Sequence, residues 1–373
     1  MTVVVNAKPL MGLLTGIARY VRALYTAIAA EGLVPARYYY RGRLSDTMPE
    51  QRASKPDYPV PSAVIELLIN ARMRLHDAGL RRVLRRVSDA VYHETELFPL
   101  RTGGRLPTVL TIYDLSLIRY PEHHPPEIVR YFERHFHRRL GLVDQFIAIS
   151  EFVRAEVVRE LGIAPERVAA VPLAADSAFR PRPDPEVRAY LERSGLPGRY
   201  LLYVGTLEPR KNLVQVIRAM SAMKKRVPLV CAGWAGWQND EFEREVARHG
   251  LAGDVLRIGR VSDEALALLY SGARCLVYPS LYEGFGLPLV EAMACGCPVV
   301  CSDRASLPEV AGGAAILVPV GDDEGMAASL ERMVNGSAER SRLVACGLER
   351  ARSFSWRRTA EETVAVFRRL GGE

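Results

Sequence analysis

The chain has 373 residues, of which 49% are hydrophobic and 25% charged, with a formal net charge of +7. At about 150 residues per domain this implies two or three domains, each large enough to bury a core. The composition is that of a soluble globular protein, and no repeat or low-complexity tract points to another class. No run approaches the roughly 20 apolar residues of a membrane span. Asn6 and Lys8 interrupt the apolar start too early for a signal-peptide core, so a cytoplasmic chain is expected. The charge is uneven: residues 37–86 hold 11 Lys/Arg against 5 Asp/Glu. Such a basic excess suggests an anionic partner surface, either membrane lipid or nucleic acid. The six cysteines, Cys231, Cys275, Cys295, Cys297, Cys301 and Cys346, all fall in the C-terminal half and read as reduced, buried small residues. Cys295-Gly-Cys297 lacks the second pair that a structural metal site would need.

Thr2–Asn6 reads as a first strand, and Lys8 to Gly16 as a loop containing Gly12 and Gly16. Ile17, Val21, Leu24 and Ile28 then recur at helical spacing as far as Ala30. A glycine between strand and helix lets backbone approach a phosphate, although it can equally be a plain turn residue. Residues 35–62 hold six prolines or glycines among tyrosines and arginines, which predicts a loop with little regular structure. Val64 to Val87 reads as a helix. Leu67, Leu68, Leu75, Leu80, Val83, Leu84 and Val87 form its apolar stripe, and Arg72, Arg74, Arg81, Arg82, Arg85 and Arg86 crowd the remainder. That pattern suits an anionic membrane face or an ordinary solvated helix.

Ala90–His93 and Thr108–Ile112 read as buried strands, the second running into Tyr113-Asp114-Leu115-Ser116. Ligands of open α/β sheets gather at strand carboxyl ends, which draws attention to Tyr113, Asp114, His93 and the pair His123-His124. The following helix carries further histidines, but the i, i+4 pair of a zinc helix is absent, so these read as surface or acceptor contacts. Gln145–Ile149 is another strand, and Ser150 can cap the helix Phe152–Leu161. Val168–Leu173 is a further strand. Residues 174–198, with Pro181, Pro183, Pro185 and Pro197, read as a linker.

Tyr200–Val204 opens the second half as a buried strand, and Gly205 to Pro209 turns. Arg210-Lys211-Asn212 then precede a helix through Met220. Two cations at a helix start oppose the helix dipole unless an anion lies between them. Lys211 would hold that anion as a point charge and Arg210 as a fork. Pro228–Gly233 and Val255–Gly259 read as strands, and Ser262 can cap the helix begun by Asp263-Glu264.

The stretch Cys275–Cys301, CLVYPSLYEGFGLPLVEAMACGCPVVC, organises this half. Leu276–Tyr278 is a strand, Pro279, Ser280, Gly284 and Gly286 break it into a loop, and Pro288 suits the first turn of a helix. Gly296 and Pro298 end that helix before the strand Val299–Cys301. Glu283 sits on the loop and Glu291 about one turn into the helix. A diphosphate at the helix end, a ribose on the acceptor-only carboxylate of Glu291 and a sugar on Glu283 describe a nucleotide sugar. The bland alternative is two solvated glutamates beside a core helix. Ile316–Val318 is a late strand, and Trp356–Leu370 a last helix with Ala360, Val364, Phe367 and Leu370 on one face. The alternation of strand and helix predicts two doubly wound α/β halves.

EGFGLPLVEA and GTLEPRKN, with TGIARY near the start and FSW near the end, resemble the retaining glycosyltransferases of family 4. The resemblance implies a GT-B fold: two Rossmann-like domains facing a cleft, residues 1–176 and 177–352, with a C-terminal helix in 353–373 crossing back to the first. It implies catalytic roles for Glu283, Lys211, Arg210 and Asp114. Donor contacts would be Gly16, Gly205, Thr206, Ser262, Gly284, Phe285, Gly286, Leu287 and Glu291. Tyr113, His93, His124 and Ser150 would touch acceptor or sugar. Two departures stand out. The family commonly has histidine where this chain has Tyr113, a neutral phenol that can donate one hydrogen bond but carries no positive charge. Many members also have arginine at Thr206, which leaves Arg210 to stand in for that charge.

The chemistry implied is stabilisation of the departing nucleotide diphosphate by preorganised cations and amides. With no Asp-x-Asp cluster, a metal-independent reaction without cofactor is expected. YDLSLIRYPEHHP and its companions look most like bacterial mannosyltransferases of polysaccharide assembly, which makes GDP-mannose the first expectation. UDP-glucose, UDP-galactose and dTDP- or other deoxysugar donors stay open. The implied acceptor is a glycan or a lipid-linked glycan, with peripheral contact at the inner membrane face through 64–87. Nucleic acid has only that basic helix in its favour and is not expected. A second class is a nucleotide-sugar-binding protein with weakened turnover, which Tyr113 makes conceivable. Glu283→Ala is expected to abolish transfer with modest effect on folding.

Overall fold

The computed structural model describes residues 1–12, 16–50, 62–336 and 338–371. The strands are β1 (Thr2–Asn6), β2 (Ala36–Tyr40), β3 (Arg43–Ser45), β4 (Ala90–Glu94), β5 (Thr108–Ile112), β6 (Gln145–Ala148), β7 (Val168–Ala170), β8 (Leu201–Val204), β9 (Leu229–Ala232), β10 (Val255–Gly259), β11 (Leu276–Tyr278), β12 (Val299–Ser302) and β13 (Ala315–Val318). The helices are α1 (Gly16–Ala30), α2 (Ser62–Leu84), α3 (Ser116–Arg119), α4 (Pro126–Leu140), α5 (Glu151–Leu161), α6 (Asp184–Arg193), α7 (Leu213–Ala222), α8 (Asp240–Arg248), α9 (Asp263–Gly272), α10 (Leu287–Ala294), α11 (Leu307–Ala311), α12 (Asp323–Asn335), α13 (Ala338–Arg352) and α14 (Trp356–Gly371). Two compact units emerge, Met1–Leu173 with Trp356–Glu373, and Ala174–Ser355.

The first unit is built on a seven-stranded sheet in the order β3-β2-β1-β4-β5-β6-β7. All its pairs are parallel except the β2–β3 hairpin. Its inner strands are runs such as Val3-Val4-Val5 and Thr108–Ile112, buried along their length, as expected where helices cover both faces. The second unit carries a parallel six-stranded sheet, β10-β9-β8-β11-β12-β13. Strand order reverses between β1 and β4 in one sheet and between β8 and β11 in the other, the places where doubly wound sheets open a crevice. The helix α14 belongs to the first unit although it follows the second. It packs on α1, buries Ala360, Thr363, Val364 and Phe367, and Thr359 Oγ1 donates to Pro172 O at 2.7 Å.

Three expectations change. Residues 35–62 are not a plain loop, because β2 and β3 form a hairpin there. Its turn residues Arg41 and Gly42 have φ of 49° and 72°, and positive φ at both positions makes the tight turn that matches strand twist. Residues 51–61 of that stretch, and Thr15 of TGIARY, lie outside the described residues. The boundary between the units falls at the start of the stretch 174–198, as expected, but the stretch is not all linker: it contains α6, with Pro183 preceding the helix and Pro185 in its first turn. The helix packs on α9, where a Cβ on Gly272 would lie 2.7 Å from Val187 Cγ1.

The apolar stripe of α2 keeps Leu80, Leu84, Val83 and Val87 against the core as expected, but runs through Met73 and Asp77 where Leu75 was expected. Met73, Asp77, Leu80 and Leu84 are buried, whereas Leu75 is 74% exposed, and Arg85 and Arg86 lie past the helix end. Leu67 and Leu68 lie outside the described side chains. Asp77 can face inward because Arg139 Nη1 and Nη2 donate to it at 3.2 and 3.0 Å. Hydrophobic periodicity alone cannot register such a buried pair. The six cysteines are free, five of them buried and Cys346 half-buried.

Candidate active site

In the second unit the carboxyl ends of β8, β9 and β10 are paved with glycine backbone. Gly205 N donates to Ala232 O at 3.0 Å and Gly233 N to Gly259 O at 2.9 Å. A Cβ on Gly233, which has φ of 151°, would overlap the Gly205 carbonyl. Thr206 O accepts from the Tyr203 hydroxyl at 2.8 Å, which fixes the turn after Gly205. The sequence reading singled out Gly205 but missed Gly233 and Gly259. The signal was there, since three successive strands of this half (YVG, CAG and RIG) each end in glycine.

Arg210 and Lys211 are not in the first turn of α7. They occupy a 3₁₀ turn, Pro209–Lys211, closed by Asn212 at φ 54°, and α7 starts only at Leu213. The anion inferred between the two cations is the chain's own Glu283. Lys211 Nζ donates to Glu283 Oε1 at 2.6 Å and reaches the Tyr278 hydroxyl at 3.4 Å. Arg210 Nη1 lies 3.7 Å from Glu283 Oε2. It also donates to Tyr282 O, and Nη2 donates to Glu208 Oε1, both at 2.6 Å. Lys211 and Glu283 are each 8% exposed, so Glu283 is no solvated loop carboxylate. Burial alone would raise its pKa, but Lys211 and Arg210 overcome that and hold it below the ordinary carboxylate value. Glu208 and Tyr278 joined this cluster without being singled out. Glu208 lies two residues before Arg210 and Tyr278 ends β11, and only the fold turns them toward Arg210 and Lys211.

Gly286 makes the turn into α10. Its φ is 94°, and a Cβ would lie 2.7 Å from Leu307 Cδ2, so both conformation and space call for glycine. Pro288 sits in the first turn as the sequence implies. Gly284 and Phe285 are buried, and Phe285 stands edge-on to Phe354 at 5.6 Å. Leu287 is the half-buried first residue of the helix. Glu283 O accepts from Ser306 Oγ at 2.9 Å, which anchors the loop. Glu291 is buried on α10, and its Oε2 accepts from the Tyr270 hydroxyl at 3.0 Å. Ser262 caps α9 by accepting from Ala265 N at 3.2 Å.

In the first unit a smaller polar group follows β5. Asp114 Oδ1 accepts from Ser116 N at 2.8 Å, and Ser116 Oγ lies 3.0 Å from His124 Nε2. Tyr113 turns its hydroxyl to Thr95 O at 3.0 Å and its ring edge to Tyr20. Gly16 is the exposed first residue of α1. Ser150 is fully buried and caps α5 through Val153 N at 3.1 Å.

His93 does not stand as an acceptor contact. It is fully buried, with Nδ1 2.7 Å from the Tyr25 hydroxyl, Nε2 2.8 Å from Thr111 Oγ1 and its ring against Phe367. Its alternation along β4 places it on a covered face of the sheet. Glu94, the next residue, was missed. Its carboxylate accepts from Asn6, the Tyr92 hydroxyl and the amides of Glu96 and Leu100. Among the described residues no three His, Cys, Asp or Glu gather in a metal-binding arrangement, and no helix is long and apolar enough to cross a membrane.

Two family models cover the chain, glycosyltransferase family 4 over residues 14–179 and glycosyl transferases group 1 over 192–350. Among solved structures, the sucrose-phosphate synthase of Thermosynechococcus elongatus aligns over all of both chains with a TM-score of 0.76 at 21% identity. HepE of Anabaena, solved with UDP-glucose, aligns over 99% of this chain and 100% of its own with a TM-score of 0.73 at 15% identity. These likenesses and the two switched parallel sheets define the fold as GT-B. An Escherichia coli protein, O-antigen chain mannosyltransferase B, is 33% identical over 99% of this chain and 100% of its own length. The chain belongs to the family 4 glycosyltransferases.

Proposed function

We propose that this glycosyltransferase moves mannose from GDP-mannose to a glycan or lipid-linked acceptor in polysaccharide assembly, with retention at the anomeric carbon and without a metal ion. The observation that carries the reading is the buried Lys211–Glu283 pair beside the glycine turn into α10. Lys211 has three N–H donors and spends two of them, on Glu283 and Tyr278. The third suits a phosphate oxygen. As the sugar departs, charge grows on the diphosphate, and Lys211, Arg210 and the backbone of the glycine turn at Gly286 meet it without reorganising. Glu283, held ionised by its two cations, accepts hydrogen bonds from sugar hydroxyls. Glu291, oriented by Tyr270, accepts from the ribose. Asp114, with Tyr113 and His124, serves the acceptor side.

The 33% identical relative, an O-antigen chain mannosyltransferase, supports mannose, and the UDP-glucose bound to HepE supports an activated sugar as donor. The arginines of α2, with exposed Leu75 among them, suit peripheral contact with an anionic membrane face. The test is a thermal-shift screen against GDP-mannose, UDP-glucose, UDP-galactose and dTDP-sugars, followed by product analysis by NMR with and without chelator. A stabilising response to GDP-mannose and an α-linked product formed in chelator are expected. An inverted product, or turnover that requires added metal, would defeat those parts. Donor binding with neither transfer nor hydrolysis would favour a binding protein instead.

A further inference from the structure

We propose that Arg199, Arg274 and Arg340 form a binding site for the phosphate group of a small soluble ligand, at the amino ends of β8 and β11. This is the opposite end of those strands from Lys211 and Glu283, and the proposal does not rest on the reading above. Arg199 lies two residues before β8 and Arg274 two residues before β11. Arg274 N donates to Tyr200 O at 2.9 Å, which sets the two approaching segments side by side. Arg340, in the first turn of α13, lays its guanidinium on the same spot: Nε donates to Arg274 O at 3.3 Å and Nη2 to Ala273 O at 3.4 Å. Arg199 Nη2 donates to Val334 O near the end of α12. Three segments distant in sequence thus bring three guanidiniums to one place.

Among the described residues no carboxylate pairs with Arg199 or Arg274. Arg274 is half-buried, and its guanidinium makes no hydrogen bond with a described residue either. Glu339, beside Arg340 in sequence, is held by Arg332 at 3.3 Å. Elsewhere along this edge of the sheet the charges do pair: Arg226, ahead of β9, lies 4.0 Å from Asp254. Burial, then the charges of Arg199 and Arg340, hold the Arg274 guanidinium below its ordinary value. Arginine keeps its proton at any working pH, so the folded chain carries this repulsion. Like charges gathered at a partly desolvated spot cost stability, and an anion set between them turns that cost into attraction. Guanidinium forks match the paired oxygens of a phosphate. None of the exposed large hydrophobics among the described residues lies on the segments that carry these arginines, which argues against an acyl chain. The ligand class is therefore a water-soluble phosphate: a phosphate monoester such as a sugar phosphate, or orthophosphate itself.

Thermal melts of the full chain in orthophosphate, a hexose phosphate or sodium chloride, matched in ionic strength, test this. In phosphate-free buffer Arg274→Gln is expected to melt about 1–3 °C above wild type, because one of three repelling charges is gone. Orthophosphate and the hexose phosphate at millimolar concentration should raise the wild-type melting temperature beyond the chloride control, and Arg274→Gln should lose most of that rise. Arg274→Lys, which keeps the charge without the fork, should melt with wild type in phosphate-free buffer and bind phosphate about tenfold more weakly. Lys211→Met should still show the Arg274-dependent rise, which separates this site from the proposed donor site. A lower melting temperature for Arg274→Gln in phosphate-free buffer would make the arginine a packing residue. Equal phosphate shifts in wild type and Arg274→Gln would show that phosphate goes elsewhere. Either result would overturn the inference and leave the nucleotide-sugar reading standing. Arg274-dependent flotation with phosphatidylglycerol vesicles would overturn the choice of a soluble ligand.

Discussion

Lys211 and Glu283 form an ion pair whose members are each 8% exposed. Taking two ions out of water costs several kcal/mol each, and their mutual attraction repays this only where the geometry is close, as it is at 2.6 Å. Removing one partner strands the other. Glu283→Gln and Lys211→Met are therefore each expected to lower unfolding free energy by about 3–5 kcal/mol, with the double variant losing clearly less than the sum. Urea denaturation checks this, and additive losses would show that the pair is not coupled. The expectation that Glu283→Ala leaves folding nearly untouched gives way for the same reason: the sequence puts this carboxylate on a loop, and nothing local reveals a cation 72 residues away folded against it.

Two neighbouring residues on β4 respond to pH in opposite senses. Burial holds His93 down to about 3 from its ordinary 6.5, so between those values the unfolded chain takes up a proton that the folded one refuses. Stability from His93 is thus complete above 6.5 and is lost as pH falls toward 3. Burial, then the charge of Glu96, pushes Glu94 up to about 7 from 4.5, so the folded chain holds the extra proton and stability drains away as pH rises through that window. Each contributes on the order of a few kcal/mol. Thermal melts across pH should show a shallower acid loss for His93→Gln and a shallower loss between 4.5 and 7 for Glu94→Gln. Parallel curves for wild type and variants would refute both assignments.

At the scale of single elements, what could be read depended on whether the cause was local. The turn into α10 was legible because glycine and proline there have steric meanings that need no partner. Gly286→Ala should cost about 1–3 kcal/mol from its φ alone, with the Leu307 contact adding to that, and the fall in melting temperature measures it. A neutral outcome would mean that the turn relaxes. The buried valine runs were legible for a similar reason, since a strand covered on both faces must be apolar throughout. The β2–β3 hairpin was not, because Arg41 takes a left-handed conformation that arginine rarely adopts. On α2 the buried Asp77 escaped notice because its burial is decided by Arg139 on another helix. His93 looked chemical for want of knowing that Tyr25, Thr111 and Phe367 converge on it.

Across the whole molecule, the second unit is a continuous stretch, Ala174–Ser355, whereas the first is assembled from both ends of the described chain. Residues 174–355 expressed alone should fold and melt cooperatively. A chain cut after Ser355 should keep that melt but lose the first unit's, because the partners of Phe367, Val364 and Ala360 on α1 and β4 would be left open to water. Calorimetry with limited proteolysis separates the two transitions, and survival of both in the truncated chain would show that α14 is dispensable.

That placement of α14 has a further consequence for how the protein is born. A ribosome delivers β1 to β7 first and the matching helix last, after some 180 intervening residues. The second unit can mature on emergence, while the nascent first unit waits with one greasy flank unsealed. This interval is where a holding chaperone would engage, and where slow translation would do the most harm.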